Sequence, residues 1–207
     1  MLLYYITDRR QFAGDENDRR KALLQKIAEA SRSGVDFIQL REKDLCARDL
    51  ESLARATTAA VRENSRKTRL LINSRSDVAF ACGADGVHLR SDDLSPRDVR
   101  KIWPPPGPII AVSCHSVAEV EHTASEGADF VVFAPVFEKV ADACVLPKGL
   151  DALRAACRTG IRVLALGGVT MRNASECRDA GAAGVAGIRL FQENDIAGVV
   201  QTLRRGF

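Results

Sequence analysis

Gly34-Val35-Asp36-Phe37-Ile38-Gln39-Leu40-Arg41-Glu42-Lys43 contains, in one stretch, the rule by which this chain folds. A glycine ends a helix, because the left-handed backbone costs it little. The short apolar run that follows reads as a buried strand. Polar side chains collect where the run stops. The same succession returns after Gly83, Gly127, Gly160 and Gly181. With the remaining apolar runs, strands are expected at 2–7, 37–41, 70–74, 86–89, 109–114, 130–136, 162–168 and 184–188.

Helical patterns separate these runs. Leu23, Leu24, Ile27, Ala28 and Ala30 form one apolar stripe, and Leu50, Leu53, Ala54, Thr57 and Val61 another. That spacing is one face of a helix. Ser116-Val117-Ala118-Glu119 has the capping-box pattern, Ser95-Pro96 sets a cap before a first-turn proline, and Thr170 is a candidate cap after the seventh strand. Eight strands alternating with helices close most simply into a (β/α)8 TIM barrel, one α/β domain over residues 1–207, near the short limit for that fold. A doubly wound open sheet is the alternative, but it wants a glycine-rich first turn. Thr7-Asp8-Arg9-Arg10 has none. Trp103-Pro104-Pro105-Pro106-Gly107-Pro108 reads as a stiff connection on the bottom face.

The formal net charge of +3 lacks the concentrated basic face of a nucleic-acid binder. No apolar run is long enough to span a membrane. The N-terminus reads as a strand and not as a signal peptide, so a cytoplasmic location is expected. The six cysteines form no Cys-x-x-Cys pair, which argues against zinc. Cys114 stands out only because it ends a strand beside His115.

The strand ends hold the candidate chemistry. Alternation places Gln39, Arg41 and Lys43 on one side of the second strand, where two cations and an amide suit a phosphate or diphosphate. The alternative is a surface ion pair between Arg41 and Glu42. Asn73-Ser74 ends the third strand. Asp93 follows the fourth, where a carboxylate can hold Mg²⁺, or where Asp92 and Asp93 simply lead into the next helix. Ser113-Cys114-His115 ends the fifth and offers a proton carrier. Gly167-Gly168 and Ile188-Arg189 end the seventh and eighth, where barrels of this class most often receive phosphate. The expected partners are small phosphorylated molecules. A homo-oligomer is compatible with the sequence.

Gln39-Leu40-Arg41-Glu42-Lys43, Asp85-Gly86-Val87-His88-Leu89 with Asp93, Val112-Ser113-Cys114-His115, Pro135-Val136-Phe137 and Ala165-Leu166-Gly167-Gly168-Val169 resemble the thiamin phosphate synthases and their relatives, the TenI-type thiazole tautomerases. The resemblance runs nearly the whole chain, in order. It implies a transferase of thiamin biosynthesis that joins a pyrimidine methyl diphosphate to a thiazole phosphate and releases diphosphate. By the same resemblance, Gln39, Arg41 and Lys43 hold the diphosphate substrate, Asn73 lies beside the pyrimidine, Ser113 near the diphosphate, and Asp93 on Mg²⁺. Gly167, Gly168, Ile188 and Arg189 surround the thiazole phosphate. Three departures stand out. Ser74 takes the place of a metal-binding aspartate. Phe137-Glu138-Lys139-Val140-Ala141-Asp142 replaces a Thr-x-Thr-Lys-like segment, with Lys139 or Lys148 as stand-in lysines. Arg189 replaces a serine. The tautomerase alternative needs only a phosphate anchor and His115 as base, without Mg²⁺. A non-catalytic binder of a phosphorylated metabolite is the reading from another class.

Overall fold

The computed structural model describes residues 1–138 and 146–205. Eight parallel strands close into a barrel in sequence order: β1 (Leu2–Ile6), β2 (Phe37–Leu40), β3 (Arg69–Asn73), β4 (Gly86–Leu89), β5 (Ile109–Cys114), β6 (Phe130–Phe133), β7 (Arg162–Ala165) and β8 (Gly184–Gly187). The ring closes where β1 pairs with β8, Leu2 opposite Gly184 and Tyr4 opposite Ala186. Outside lie α1 (Glu16–Ser33), α2 (Ala47–Asn64), α3 (Ser76–Ala81), α4 (Pro96–Ile102), α5 (Val117–Ser125), α6 (Gly149–Cys157), α7 (Ala174–Asp179), the one-turn α8 (Arg189–Gln192) and α9 (Ile196–Arg205).

The punctuation works as the composition suggests. Gly34 sits at φ 85°, and its N–H closes α1 onto the carbonyls of Ala30 and Ser31. The stripe of α2 is buried at every position named above, with Thr58 added. Ser95 caps α4 with Pro96 in its first turn. Ser116 caps α5, but the returning Glu119 carboxylate accepts from the N–H of His115, at 2.8 Å, one residue ahead of the usual partner. Thr170 caps a turn rather than the helix: its Oγ1 accepts from the N–H of Asn173, the residue that precedes α7.

Several strands are shorter than their apolar runs. β6 stops at Phe133 because Ala134-Pro135 follows, and proline has no N–H for the ladder. β7 stops at Ala165 and β8 at Gly187, so Gly167, Gly168, Ile188 and Arg189 lie in the connections above the barrel. Arg189 opens α8 instead of ending a strand.

Two shells of apolar side chains result. Between strands and helices lies the large core that includes Leu23, Ile38, Val61, Val131 and Phe191. Inside the barrel Tyr4, Ile6, Leu71, Phe130, Val132, Leu164 and Ala186 fill the centre. Three aromatic rings block the lower half: Phe37 and Phe130 lie 4.8 Å apart, and Tyr4 meets each edge-on at 5.8 and 5.7 Å. The barrel interior is therefore closed below, and the large cavity lies at the upper end. Among the described residues no helix is long and apolar enough to cross a membrane.

Candidate active site

Above the aromatic plug the strand ends open into a cavity of about 950 Å³. Its floor is a chain of buried polar groups. Gln39 Nε2 donates to the Tyr4 hydroxyl at 3.2 Å, Tyr4 meets His88 Nδ1 at 2.9 Å, and His88 Nε2 meets Ser113 Oγ at 2.8 Å. Burial, and then the nearby Arg41 charge, push His88 down to about 3, so the ring is neutral at physiological pH. Burial pushes Tyr4 far above the usual phenol range, so it too stays neutral. The direction of the chain follows. Tyr4 already accepts from Gln39, so it donates to Nδ1. Nε2 then carries the ring proton and donates to Ser113. The Ser113 hydroxyl hydrogen is left for a group in the cavity.

One wall is cationic. Arg41 and Lys43 lie just beyond β2 and line the cavity, with Arg90 from the segment after β4. The Arg41 guanidinium is partly buried, and among the described residues it has no carboxylate partner. Desolvation accordingly lowers its pKa. Lys43 is lowered chiefly by the charge of Arg41, then by burial and by Arg90 and Arg10. Glu42 does not pair with Arg41 at the surface. It turns away into a buried cluster, where Arg9 Nη1 lies 3.2 Å from Oε2 and the Thr7 hydroxyl donates to Oε1 at 2.6 Å. Arg9 also grips Asp44 through both terminal nitrogens, at 2.7 and 2.8 Å. Burial outweighs these bonds and raises the Glu42 carboxyl, even as the same contacts raise Arg9. Thr7 Oγ1 in turn accepts the backbone N–H of Arg41 at 3.0 Å. The cluster therefore holds Arg41 and Lys43 facing the cavity.

Another part of the lining, above β7 and β8, is backbone. Gly167 and Gly168 adopt φ +95° and +64°, and a Cβ on either would come within 2.7 Å of Pro135 Cα or Phe137 Cβ. Their carbonyls are occupied: Phe137 N–H donates to Gly167 O, and Asn173 Nδ2 to Gly168 O. Among the described residues, the N–H groups of Gly168, Val169 and Ile188 meet no backbone or side-chain acceptor. Free amides from two adjoining loops make a site for an anion. Arg189 lines the same side, its Nε 3.7 Å from Glu193.

At the rim, His115 Nδ1 lies 2.8 Å from the carbonyl of Ala134. A carbonyl can only accept, so Nδ1 carries a hydrogen, and Nε2 is the ring nitrogen left for a group in the cavity. Its neighbour Cys114 is buried, bonded to Thr123, and pushed up to about 11 by that burial. It is an inert thiol.

The family model of thiamine monophosphate synthase matches residues 3–191. The chain belongs to that family. It is 38% identical to a putative thiamine-phosphate synthase 2 of Aquifex aeolicus, over 92% of this chain and 97% of the relative. It is 39% identical to a thiamine-phosphate synthase of Methanoculleus marisnigri, over 98% and 93%. A thiamine phosphate pyrophosphorylase from Pyrococcus furiosus superimposes with a TM-score of 0.81 at 30% identity, covering 99% of this chain and 94% of that one. A 3-hexulose-6-phosphate synthase shares the fold at TM-score 0.75 and 17% identity.

Within this thiamine monophosphate synthase family member, Gln39, Arg41, Lys43, Asn73, Ser113, His115, Gly167, Gly168, Ile188 and Arg189 all line one cavity. Two expected residues do not. Lys148 is exposed beside α6, where its backbone N–H donates to Pro135 O at 2.7 Å. Asp93 is not in the lining, though its charge reaches His88 at the floor; its neighbour Asp92 lines the cavity. Lys139 lies outside the described residues. Tyr4, Arg9, His88 and Arg90 join the site without a local sequence signal of their role, except that His88 interrupts the apolar run of β4.

The residues present do not fit a dedicated Mg²⁺ site. Asp93 Oδ2 accepts the Arg90 N–H at 2.7 Å, and Oδ1 faces Arg90 Nε at 3.6 Å. Ser74, at φ 60°, offers a hydroxyl that meets Asn73 Nδ2 at 3.1 Å. Among the described residues no three His, Cys, Asp or Glu side chains gather to hold a metal. Mg²⁺ beside a substrate phosphate needs one or two free carboxylates with water completing its octahedron, and here both carboxylates of the turn are engaged by Arg90.

Proposed function

We propose that this chain is a thiamine-phosphate synthase: it joins a pyrimidine methyl diphosphate to a thiazole phosphate and releases diphosphate. One observation carries the reading. Among the described residues Arg41 is a partly buried guanidinium without an ion-pair partner, set beside Lys43 in the cavity that the unbonded amides of Gly168 and Ile188 also line. Buried charges are ordinarily paired. An unpaired one at a cavity wall is built for an anion that arrives with the substrate. Two separate anion sites, one cationic and one amide-lined, suit two phosphorylated substrates facing each other.

The chemistry asks little else of the protein. The methylene carbon–oxygen bond breaks and its electron pair leaves on the diphosphate. The thiazole ring nitrogen supplies the electron pair of the new bond to that carbon. Negative charge grows on the departing oxygen, where Arg41 and Lys43 are fixed beforehand. Gln39 and Ser113, held by Tyr4 and His88, present an amide and a hydroxyl to the pyrimidine and the diphosphate. Gly167, Gly168, Ile188 and Arg189 anchor the thiazole phosphate. No side-chain nucleophile is needed.

The test is diphosphate release on mixing both substrates with the intact protein. Arg41→Gln should cut kcat/KM by about a hundredfold, since a charge-assisted bidentate contact is lost where charge develops. Absence of product with both substrates present refutes the synthase. His115 favours a second reading, thiazole tautomerisation, because the Ala134 carbonyl holds Nδ1 and leaves Nε2 as the nitrogen that could exchange a proton at the cavity rim. Isomerisation of a thiazole carboxylate phosphate that is unaffected by His115→Asn would remove that reading. Phosphate-dependent binding without turnover in either assay would leave a binder.

A further inference from the structure

The mouth of the barrel carries a guanidinium that neither proposed substrate contact above employs. Arg90 follows β4 and lines the cavity on the same wall as Arg41 and Lys43. Its charge is felt at Lys43, together with those of Arg41 and Arg10. Arg10 is answered by Asp8, 3.4 Å away, which leaves Arg41, Lys43 and Arg90 on the cavity wall. The other carboxylates near them are engaged or exposed. Asp44 and Glu42 are engaged by Arg9. Asp92 meets Arg90 Nη2 at 2.8 Å, but that pair is 53% and 70% exposed and therefore weak. Asp93 closes the 90–93 turn: its side chain takes the Arg90 N–H, and its own N–H returns to the Arg90 carbonyl at 3.2 Å. Moving that carboxylate onto a metal would open the turn.

We propose that Arg90 replaces a divalent cation in this chain, so that the diphosphate is received directly by Arg90, Arg41 and Lys43 and binds without metal. The inference rests on the diphosphate reading above. The physical logic is substitution of one positive group by another. A guanidinium presents paired donors that match two phosphate oxygens, at a place where the two carboxylates that could hold a metal, Asp92 and Asp93, both lie on Arg90 itself. Arg90 is held by its turn at the backbone and by Asp93 at Nε, 3.6 Å away, while Nη2 meets only the exposed Asp92, so that end of the guanidinium can exchange Asp92 for an incoming anion.

Isothermal titration calorimetry of the intact chain with inorganic diphosphate tests this, once in EDTA and once with excess Mg²⁺. The two dissociation constants should agree within about threefold. Arg90→Gln should weaken binding in EDTA by about tenfold or more, and Arg90→Lys should recover part of the loss. Arg90 is exposed, and unchanged thermal melting of both variants should confirm that the fold is intact. Binding that appears only with Mg²⁺ overturns the proposal, as does unaltered affinity of Arg90→Gln in EDTA. Arg41→Gln separates the two readings. If it abolishes binding while Arg90→Gln does not, the diphosphate site stands and the role of Arg90 falls. If diphosphate binds under neither condition, both fall.

Discussion

Acidification should destabilise this barrel through one residue, His88. Its ring is 3% exposed, bonded on both nitrogens, and held down to about 3 chiefly by burial. In the unfolded chain the same ring titrates near 6.5. A depressed folded pKa means that the unfolded state binds the extra proton first. The stabilising contribution is fully present above pH 6.5 and is lost as pH falls toward 3. The slope in that window is roughly 1.4 kcal/mol per pH unit, so about 3 kcal/mol should disappear between pH 8 and pH 4.5. Glu42 acts in the opposite sense: its raised carboxyl stabilises below the ordinary value and loses that effect as pH rises. Asp44, lowered to about 2 by Arg9, is lost only below about pH 4. A difference measurement removes both. Urea unfolding followed by circular dichroism, at steps from pH 8 to 4.5, should be run on the parent and on His88→Gln, whose amide cannot titrate. The parent curve should fall more steeply than the variant's below pH 6.5. If the two curves stay parallel to pH 4.5, His88 does not hold a buried neutral ring, and the proton order assigned from Tyr4 to Ser113 is wrong.

Other expectations follow from the same geometry. Gly168→Ala forces a Cβ at φ +64° against Phe137 Cβ and the Glu138 carbonyl. It should cost about 1–3 kcal/mol in stability and weaken thiazole phosphate binding by calorimetry, whereas wild-type affinity would show that the loop accommodates the methyl. Glu42→Ala leaves Arg9, itself 4% exposed, short of one buried partner and releases the Thr7 hydroxyl that fixes Arg41. A loss of about 3 kcal/mol is expected from chemical unfolding, together with a raised KM for the diphosphate substrate. Iodoacetamide on the native protein should label exposed Cys46 while sparing buried Cys82, Cys114 and Cys177, as read by peptide mass spectrometry.

The order of elements was legible because its signals are local. A glycine after an amphipathic stripe and a four- to six-residue apolar run state their conformations without reference to the rest of the chain. Gly34 and the α2 stripe are instances. The residues gathered at the mouth were legible for a related reason. In a parallel barrel every strand delivers its last residues to one rim, so Arg41, Ser113 and Gly168 could be grouped before their distances were known.

What tertiary structure alone decided is how polar groups from distant strands pair. Tyr4, Gln39, His88 and Ser113 come from β1, β2, β4 and β5, and no local pattern says that they touch. Alternation sent Glu42 away from Arg41, but only the packing revealed that Arg9 and Thr7 were waiting there. Asp93 carries the right chemistry for a metal, and only the packing shows its carboxylate closing a turn with Arg90. Side-chain type is written along the chain. Whether a given charge is answered, left unpaired or aimed at a ligand depends on which neighbours the closed ring puts within three ångströms, and that is a property of the ring.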